Sequence, residues 1–294
     1  MRTSGGHVKV RDYFDHCLAH PELDPYVYFT PRSSRETAEV WRDLSPERIA
    51  DEFDRGSCDL LFVADRDWKL VPKTFDGARV INLLQSLEAC QPEHRMFRYL
   101  KRPALRICVS EEVFEASAPY RAGEAVVIKN GIPLDLFTPK AKRARSIVIW
   151  GLKDPGRATA LADELRARDT DVALLLDYVP REEYARLLQE ADLFVGFTKP
   201  VEGFYLPALE AMACGCAVVC RDATGNRGFC IDGETCLMPA GDDVPAYLAA
   251  VETLLGDGPF AERLRRGGLA IAQQYSLEQE REAFYHLLDT LVLR

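Results

Sequence analysis

The chain has 294 residues, of which 47% are hydrophobic and 28% are charged, a composition typical of a globular protein long enough for two domains. Its formal net charge of −9 disfavours a nucleic-acid partner, because nucleic acid is itself a polyanion. No apolar run reaches the roughly 18 residues of a spanning helix. The N-terminal residues lack the apolar core of a signal peptide, so we expect a cytoplasmic protein whose nine cysteines are reduced.

Four short apolar runs in the first half have the length of buried strands. They cover residues 58–65, 78–85, 105–110 and 125–131. Ser110 ends the third run and is an expected helix N-cap, since Glu111 and Glu112 follow it and favour a first helical turn. Residues 132–145 then combine prolines with basic residues and show little periodicity, which predicts a linker.

The alternation of strands and helices restarts after this linker. Predicted strands cover 146–151, 171–177, 192–198 and 216–222, and predicted helices cover 157–168, 180–191, 207–214 and 245–256. This alternation predicts α/β architecture with two doubly wound, Rossmann-like domains over residues 1–138 and 139–275. A capping box, Ser276 with Gln279, begins a C-terminal helix over 276–294 that we expect to pack back toward the N-terminal domain. Ligands of such folds bind in a cleft at the carboxyl ends of the strands.

The segment EGFYLPALEAMACG, residues 202–215, carries two carboxylates in an apolar surrounding. Pro207 suits a first helical turn and Gly215 suits a helix end. The peptide N–H groups just before this helix form a potential anion site, and a carboxylate beside it could accept hydrogen bonds from a ribose diol. The segment therefore indicates a nucleoside diphosphate with a sugar on each side. The alternative is that Glu202 and Glu210 are solvated acids at a helix end.

Several segments, taken in order, resemble glycosyltransferase family 4, whose members have the GT-B fold. They are LRICVSEEV, VVIKNGIPLDLFTP, YVPREEYARLLQEADLFV, EGFYLPALEAMACGCAVV and IDGETCLMPAGD. The resemblance covers roughly residues 105–290 well and the first hundred loosely. It implies a retaining, hexosyl-transferring enzyme of glycan biosynthesis. Such an enzyme moves a sugar from a nucleoside diphosphate sugar to a glycan, lipid-linked or small-molecule acceptor.

The resemblance also implies roles for individual residues of the second domain. Glu210 matches the acid that holds the ribose hydroxyls, and Glu202 matches the acid that faces the donor sugar. The loop whose amides contact sugar and phosphate is matched by Gly203, Phe204, Tyr205 and Leu206, with Tyr205 in place of a commoner glycine. The phosphate clamp is matched by Gly151, Lys153 and Arg157, in an order that departs from the usual one.

In the first domain the segment SGGHVKV resembles the family's glycine-rich loop, where Gly5 and Gly6 let the backbone approach the donor. His7 and Gln85 are candidate contacts to donor or acceptor, and Gln85 stands where the family often has histidine. Such a loop should follow a strand of about five residues. Only Met1–Thr3 precede Ser4, so we expect a truncated first strand or a start upstream.

We expect no metal or other cofactor, because Lys153, Arg157 and helix-end amides would stabilise the departing diphosphate. The cysteines between Cys214 and Cys236 lack the spacing of a zinc site and are better explained as buried thiols. Residues 94–102 interleave basic and aromatic residues. They indicate either a peripheral contact with the inner face of a membrane or, more simply, an amphipathic helix face.

Two other functions are compatible with these motifs. A non-catalytic family member could bind a sugar nucleotide as a sensor or partner, and Gln85 and the short N-terminus are consistent with that role. The pair of glutamates favours catalysis instead. Sugar transfer to a nucleic-acid base is disfavoured by the negative net charge.

Overall fold

The structure is a computed structural model that describes residues 5–30, 33, 39–54, 58–72, 79–141 and 146–292. The chain forms two compact units. One contains Met1–Asn130 with Glu278–Arg294, and the other contains Gly131–Leu277. The predicted domain limits at residues 138 and 275 lie near these divisions and stay predictions. Residues 278–294 group with the first unit.

The first unit contains a parallel four-stranded sheet in which the strands follow chain order. Its strands are β3 (Leu60–Ala64), β4 (Arg79–Leu84), β5 (Leu105–Cys108) and β6 (Ala125–Val127), and a separate parallel pair is formed by β1 (Val27–Tyr28) and β2 (Ile49–Ala50). All four apolar runs predicted as strands are confirmed. Helix α2 (Glu111–Ser117) begins where predicted, because the Ser110 hydroxyl accepts a hydrogen bond from the Val113 amide at 3.3 Å.

Helix α1 (Gly5–Leu18) was not predicted. The prediction that Gly5 and Gly6 form a loop is wrong, since both lie in the first turn of this helix. The helix forms because Lys9, Tyr13 and His16 recur at helical spacing and are all buried. Residues 1–4, on which the prediction of a truncated strand depends, lie outside the described residues.

Helix α8 (Leu277–Leu287), followed by a π-helical turn over Leu288–Val292, carries a buried acid that meets α1. The Glu280 carboxylate lies 2.7 Å from the Lys9 ammonium and 3.2 Å from the His16 ring nitrogen. Phe284 packs edge-on against Tyr13 with ring centroids 5.1 Å apart. The terminal helix is therefore fixed to α1 by a buried ion pair surrounded by aromatic rings.

Residues 94–102 do not form the amphipathic helix face that the sequence favoured. They form turns and a single 3-10 turn over Phe97–Tyr99. Tyr99 stacks on Trp68 with ring centroids 5.9 Å apart, and Arg102 donates a 2.8 Å hydrogen bond to the Val71 carbonyl. Because the segment is held by these tertiary contacts and is followed by Pro103, it has no continuous helical face.

The second unit alternates strands and helices as predicted. Its elements are β7 (Ser146–Trp150), α3 (Pro155–Arg166), β8 (Asp171–Leu175), α4 (Arg181–Glu190), β9 (Leu193–Gly196), α5 (Leu206–Ala213), β10 (Ala217–Cys220), α6 (Val244–Gly256) and α7 (Gly258–Ala272). The parallel sheet has the order β10-β9-β7-β8. The chain passes from β7 to β8 on one side and then returns to β9 on the other. The carboxyl ends of β7 and β9 therefore form a topological switch point, where ligands of doubly wound sheets bind.

Helix α7 was missed because Gly267 and Gly268 interrupt its sequence pattern. A Cβ atom on Gly267 would lie 2.2 Å from the Glu234 carbonyl oxygen, and one on Gly268 would lie 3.0 Å from the Met212 side chain. The glycines let α7 approach α5 and the neighbouring loop closely, and this packing outweighs the low helix propensity of glycine. None of the described helices is long and apolar enough to cross a membrane.

Candidate functional site

The loops after β7 and β9 bring Lys153 and Glu202 together at the switch point. A Cβ atom on Gly151 would lie 2.3 Å from the Ala158 Cβ, so only glycine lets α3 pack this closely against the end of β7. Lys153 follows two residues later, and its ammonium forms an ion pair with Glu202 Oε1. The sequence predicted both residues for the site, and the structure places them in direct contact.

The Glu202 carboxylate is held by three donors on a single oxygen. Besides Lys153, the Thr198 hydroxyl donates to Oε1 at 2.7 Å and the Lys199 amide donates at 3.2 Å. The Glu202 side chain is 11% exposed and that of Lys153 is 33% exposed. Glu202 is therefore oriented by the loop from which it comes, while the Lys153 side chain stays partly exposed.

The loop between Glu202 and α5 is closely packed and presents amide groups. A Cβ atom on Gly225 would lie 2.3 Å from the Gly203 carbonyl oxygen, so the turn over Thr224–Asn226 packs directly on the loop. Phe204 packs against Phe229 with ring centroids 5.1 Å apart. Within the described part of the chain, no group accepts a hydrogen bond from the amides of residues 203–205. These donors precede the N-terminus of α5 and are suited to an anion.

Tyr205 lies beneath the ion pair. Its side chain is 1% exposed, and the Lys153 ammonium lies 5.3 Å from the centre of its ring. Burial raises the pKa of the Tyr205 phenol well above its ordinary value. Its hydroxyl has no hydrogen-bond partner among the described residues. The ring therefore supports the Lys153 ammonium by a cation–π contact.

Glu210 lies on α5 and is paired with Arg181, the first residue of α4, at 3.0 Å. Glu210 is 3% exposed and Glu202 is 9% exposed, so the alternative that both are solvated acids is wrong. The Arg181 guanidinium also lies 5.0 Å from the centre of the Phe137 ring. The two glutamates are thus held by different cations on different elements.

Arg157, the third residue of the predicted phosphate clamp, contacts Asp154 and Asp242. Asp154 caps α3 by accepting the Arg157 amide at 3.1 Å, and its carboxylate also binds the Arg157 guanidinium at 2.5 Å. The guanidinium donates as well to the Asp242 carbonyl. Leu206, the last residue of the predicted loop, opens α5 and is 7% exposed.

In the first unit, two predicted residues, Gln85 and Gly6, meet at the carboxyl end of β4. The Gln85 side chain, which follows β4, donates to the Gly6 carbonyl at 3.4 Å. Partial burial lowers the pKa of His7, and the nearby Asp65 carboxylate opposes this effect. Gly5 begins the helix on which Gly6 and His7 lie.

Two residues of the site were not predicted. Thr198 ends the apolar run before Glu202, and a hydroxyl at the end of a buried strand is the signal that could have indicated it. Arg181 begins α4 directly after Pro180, but nothing local connects it with Glu210, which lies on the next helix. Across the described residues, no group of three or more His, Cys, Asp or Glu side chains is arranged to hold a metal ion.

Part of the second unit matches a known protein family. Residues 134–257 match the family model described as Glycosyl transferases group 1. The O-antigen chain mannosyltransferase B of Escherichia coli is 39% identical over 103 residues, which cover 35% of this chain and 26% of that protein. The lipopolysaccharide core biosynthesis mannosyltransferase LpsB of Rhizobium meliloti is 31% identical over 153 residues, covering 49% and 43% respectively. The chain spans less than half the length of these curated relatives.

Solved structures share the fold at low sequence identity. Sucrose-phosphate synthase from Thermosynechococcus elongatus has a TM-score of 0.64 and 19% identity, covering 93% of this chain and 82% of that one. Anabaena HepE in complex with UDP and glucose has a TM-score of 0.58 and 16% identity, covering 73% and 72%. The predicted α/β class with the GT-B fold is therefore confirmed. The predicted resemblance to glycosyltransferases is confirmed as well, since residues 134–257 match the family model and two named glycosyltransferases are 39% and 31% identical over parts of the chain.

Proposed function

We propose that this protein transfers a glycosyl group from a nucleoside diphosphate sugar to an acceptor hydroxyl, with retention of anomeric configuration. The observation that carries the proposal is the Lys153–Glu202 ion pair at the switch point of the second sheet, beside the amides that precede α5. A cation, free N–H donors and an oriented carboxylate are what a diphosphate joined to a sugar requires.

Transfer breaks the bond between the anomeric carbon and the diphosphate, and negative charge grows on the departing group. Lys153 and the amides of residues 203–205 stabilise that charge. Glu202, held by Thr198 and Lys199, faces the sugar as its ring approaches an oxocarbenium ion. Arg157 has a secondary role because Asp154 already pairs with it. These residues act without a metal ion in this proposal.

Glu210 binds the ribose of the donor in the same proposal. Its carboxylate is buried and lies 3.0 Å from the Arg181 guanidinium, so its position is fixed before the donor arrives. A ribose diol would then add hydrogen bonds to an oriented acceptor group. In the first unit, His7 and Gln85 are the proposed contacts to the acceptor or to the donor.

The names of the relatives favour a role in glycan or glycoconjugate assembly. They include mannosyltransferases of an O-antigen chain and of a lipopolysaccharide core, and a D-inositol 3-phosphate glycosyltransferase of Mycobacterium. We place the reaction in the cytoplasm. The exposed basic side chains of Arg95, Arg98 and Lys101 are the proposed contact with a membrane that carries a lipid-linked acceptor.

A panel of UDP-, GDP-, ADP- and dTDP-sugars tests the proposal. A true donor should raise Tm, since a ligand at a hundredfold excess over its Kd stabilises the folded state by about 2.7 kcal/mol. Release of free nucleoside diphosphate then separates an enzyme from a non-catalytic binder. A stabilising sugar nucleotide that is never turned over, with any acceptor class, would support the sensor role instead.

A further inference from the structure

Three buried thiols meet at the end of β10, outside the site described above. Cys220 is the last residue of that strand, and Cys220, Cys230 and Cys236 are each no more than 2% exposed. The sulfur atoms of Cys220 and Cys230 lie 3.6 Å apart. The Cys236 thiol is within hydrogen-bonding reach of both. We refer to these three residues as the thiol trio.

Backbone contacts bring the trio together. The Cys220 amide donates to the Leu237 carbonyl at 3.3 Å, which places Cys236 beside the end of the strand. The Cys230 amide donates to the Asn226 carbonyl at 2.7 Å, and the Asn226 side chain reaches the Cys220 sulfur at 3.7 Å. The trio is therefore part of the folded core and depends on pairing between β10 and the chain that follows it.

One sulfur of the trio has a lowered pKa although it is buried. Hydrogen bonds from Cys230, Cys236 and Asn226 to the Cys220 sulfur lower the pKa of that thiol well below its ordinary value. Cys17 provides the contrast, because burial raises its pKa to about 12. A thiolate is the form of cysteine that attacks peroxides and disulfides.

We propose that the thiol trio is an oxidisable site at which hydrogen peroxide, admitted by local opening of the segment after β10, joins Cys220 and Cys230 in a disulfide bond. The Cys220 thiolate attacks one peroxide oxygen, the O–O bond breaks, and the second oxygen leaves as water after taking a proton. Cys220 then carries a sulfenic acid. The Cys230 sulfur attacks the Cys220 sulfur, and a second water leaves as the S–S bond forms. Two thiols and one peroxide thus give one disulfide and two water molecules.

Closing this bond moves the segment that supports the proposed donor loop. A disulfide has an S–S length of about 2.05 Å, so the two sulfurs must approach by about 1.5 Å. The amides of Phe229 and Cys230 both bind the Asn226 carbonyl, and Asn226 ends the turn that packs on Gly203. Because Gly225 packs directly against the Gly203 carbonyl, a backbone shift at Cys230 would be passed through this turn to the loop that carries Glu202.

The chemistry is tested on the full-length, reduced protein. It is treated with hydrogen peroxide, quenched with catalase, alkylated under denaturing conditions, digested and mapped by mass spectrometry. We expect a Cys220–Cys230 cross-link that dithiothreitol reverses. Cys230→Ser and Cys230→Ala should abolish it, whereas Cys17→Ser and Cys236→Ser should retain it. If the Cys230 variants do not fold, the cross-link maps of the wild type and of Cys236→Ser still test the proposal, because they show whether Cys220 and Cys230 are joined. A trio that stays reduced while Cys17 or Cys58 oxidises, or a bond from Cys220 to Cys236, would overturn the proposal.

The effect on donor binding rests on the proposed function and has a separate readout. The oxidised protein should lose most of the Tm increase given by the stabilising sugar nucleotide, and dithiothreitol should restore it. If no sugar nucleotide stabilises the reduced protein, the proposed function fails while the cross-link result stands. A cross-linked protein that keeps the full ligand-induced Tm increase would contradict the coupling to the Glu202 loop.

Discussion

Glu202 and Glu210 lie on the same short segment but are held in different ways, so their loss should have different consequences. Glu202 is oriented by Thr198 and Lys153 where the transferred sugar is proposed to bind. Glu210 is paired with Arg181 where the unchanging ribose is proposed to bind. An interaction that is the same in ground and transition states affects KM, whereas one that strengthens in the transition state affects kcat.

We therefore expect Glu202→Gln to lower kcat and Glu210→Gln to raise the donor KM. A hydrogen bond to a charged group contributes about 1.5–3 kcal/mol, which corresponds to a change of roughly ten- to a hundredfold. Steady-state kinetics of both variants with a saturating acceptor provide the measurement. The exposed Glu182→Gln on α4 is a control that should leave both constants unchanged. An unchanged donor KM in Glu210→Gln would contradict the ribose assignment.

Arg181 should matter for stability because its loss removes a cation that lies 3.0 Å from the buried Glu210 carboxylate. Removing one partner of a buried pair costs about 3–5 kcal/mol, and we expect the lower end because Arg181 is itself 26% exposed. Denaturant unfolding of Arg181→Ala measures this cost. Arg186→Ala, on the same helix but 56% exposed and paired with Glu190 at the surface, should unfold like the wild type. Equal stability of the two variants would mean that Glu210 is not held by Arg181.

At the scale of elements, the close approach of α3 to β7 positions Lys153. We expect Gly151→Ala to destabilise the fold by about 1–3 kcal/mol, because the new methyl would overlap the Ala158 side chain. Gly256→Ala is the matched control, since a Cβ atom there meets nothing within 4 Å. Thermal unfolding compares the two. A Gly151→Ala protein with wild-type Tm would show that α3 can shift without cost.

The elements differ in how far they could be predicted. Strands β7 and β9 and helix α5 follow from apolar runs and from Pro207 and Gly215, which are local signals. The contact between Lys153 and Glu202 joins residues 49 positions apart. It depends on the order in which β8 and β9 flank β7, which no local pattern contains. Helix α7 was missed for the same reason, since Gly267 and Gly268 are explained only by the contacts of the helix with the loop at Glu234 and with α5.

At the scale of the whole molecule, the proposed mechanism assigns the neutralisation of the diphosphate to the protein itself. Lys153 and the amides before α5 take the place that a divalent cation would occupy. We therefore expect transfer to proceed in the presence of excess EDTA at the rate measured without it. Loss of transfer that magnesium or manganese restores would show that the protein supplies too little positive charge, and the mechanism would have to include a cation.

The central claim is that the Lys153–Glu202 pair forms the donor site, and release of nucleoside diphosphate tests it most directly. The assay follows free diphosphate from the stabilising sugar nucleotide in the presence of acceptor, for the wild type, Lys153→Ala and the exposed control Lys140→Ala. The account predicts that Lys153→Ala loses at least tenfold in kcat/KM, about 1.4 kcal/mol or more, while it remains folded in the absence of ligand because Thr198 and Lys199 still hold Glu202. It also predicts that Lys140→Ala matches the wild type. A Lys153→Ala protein that releases diphosphate at the wild-type rate would contradict the account.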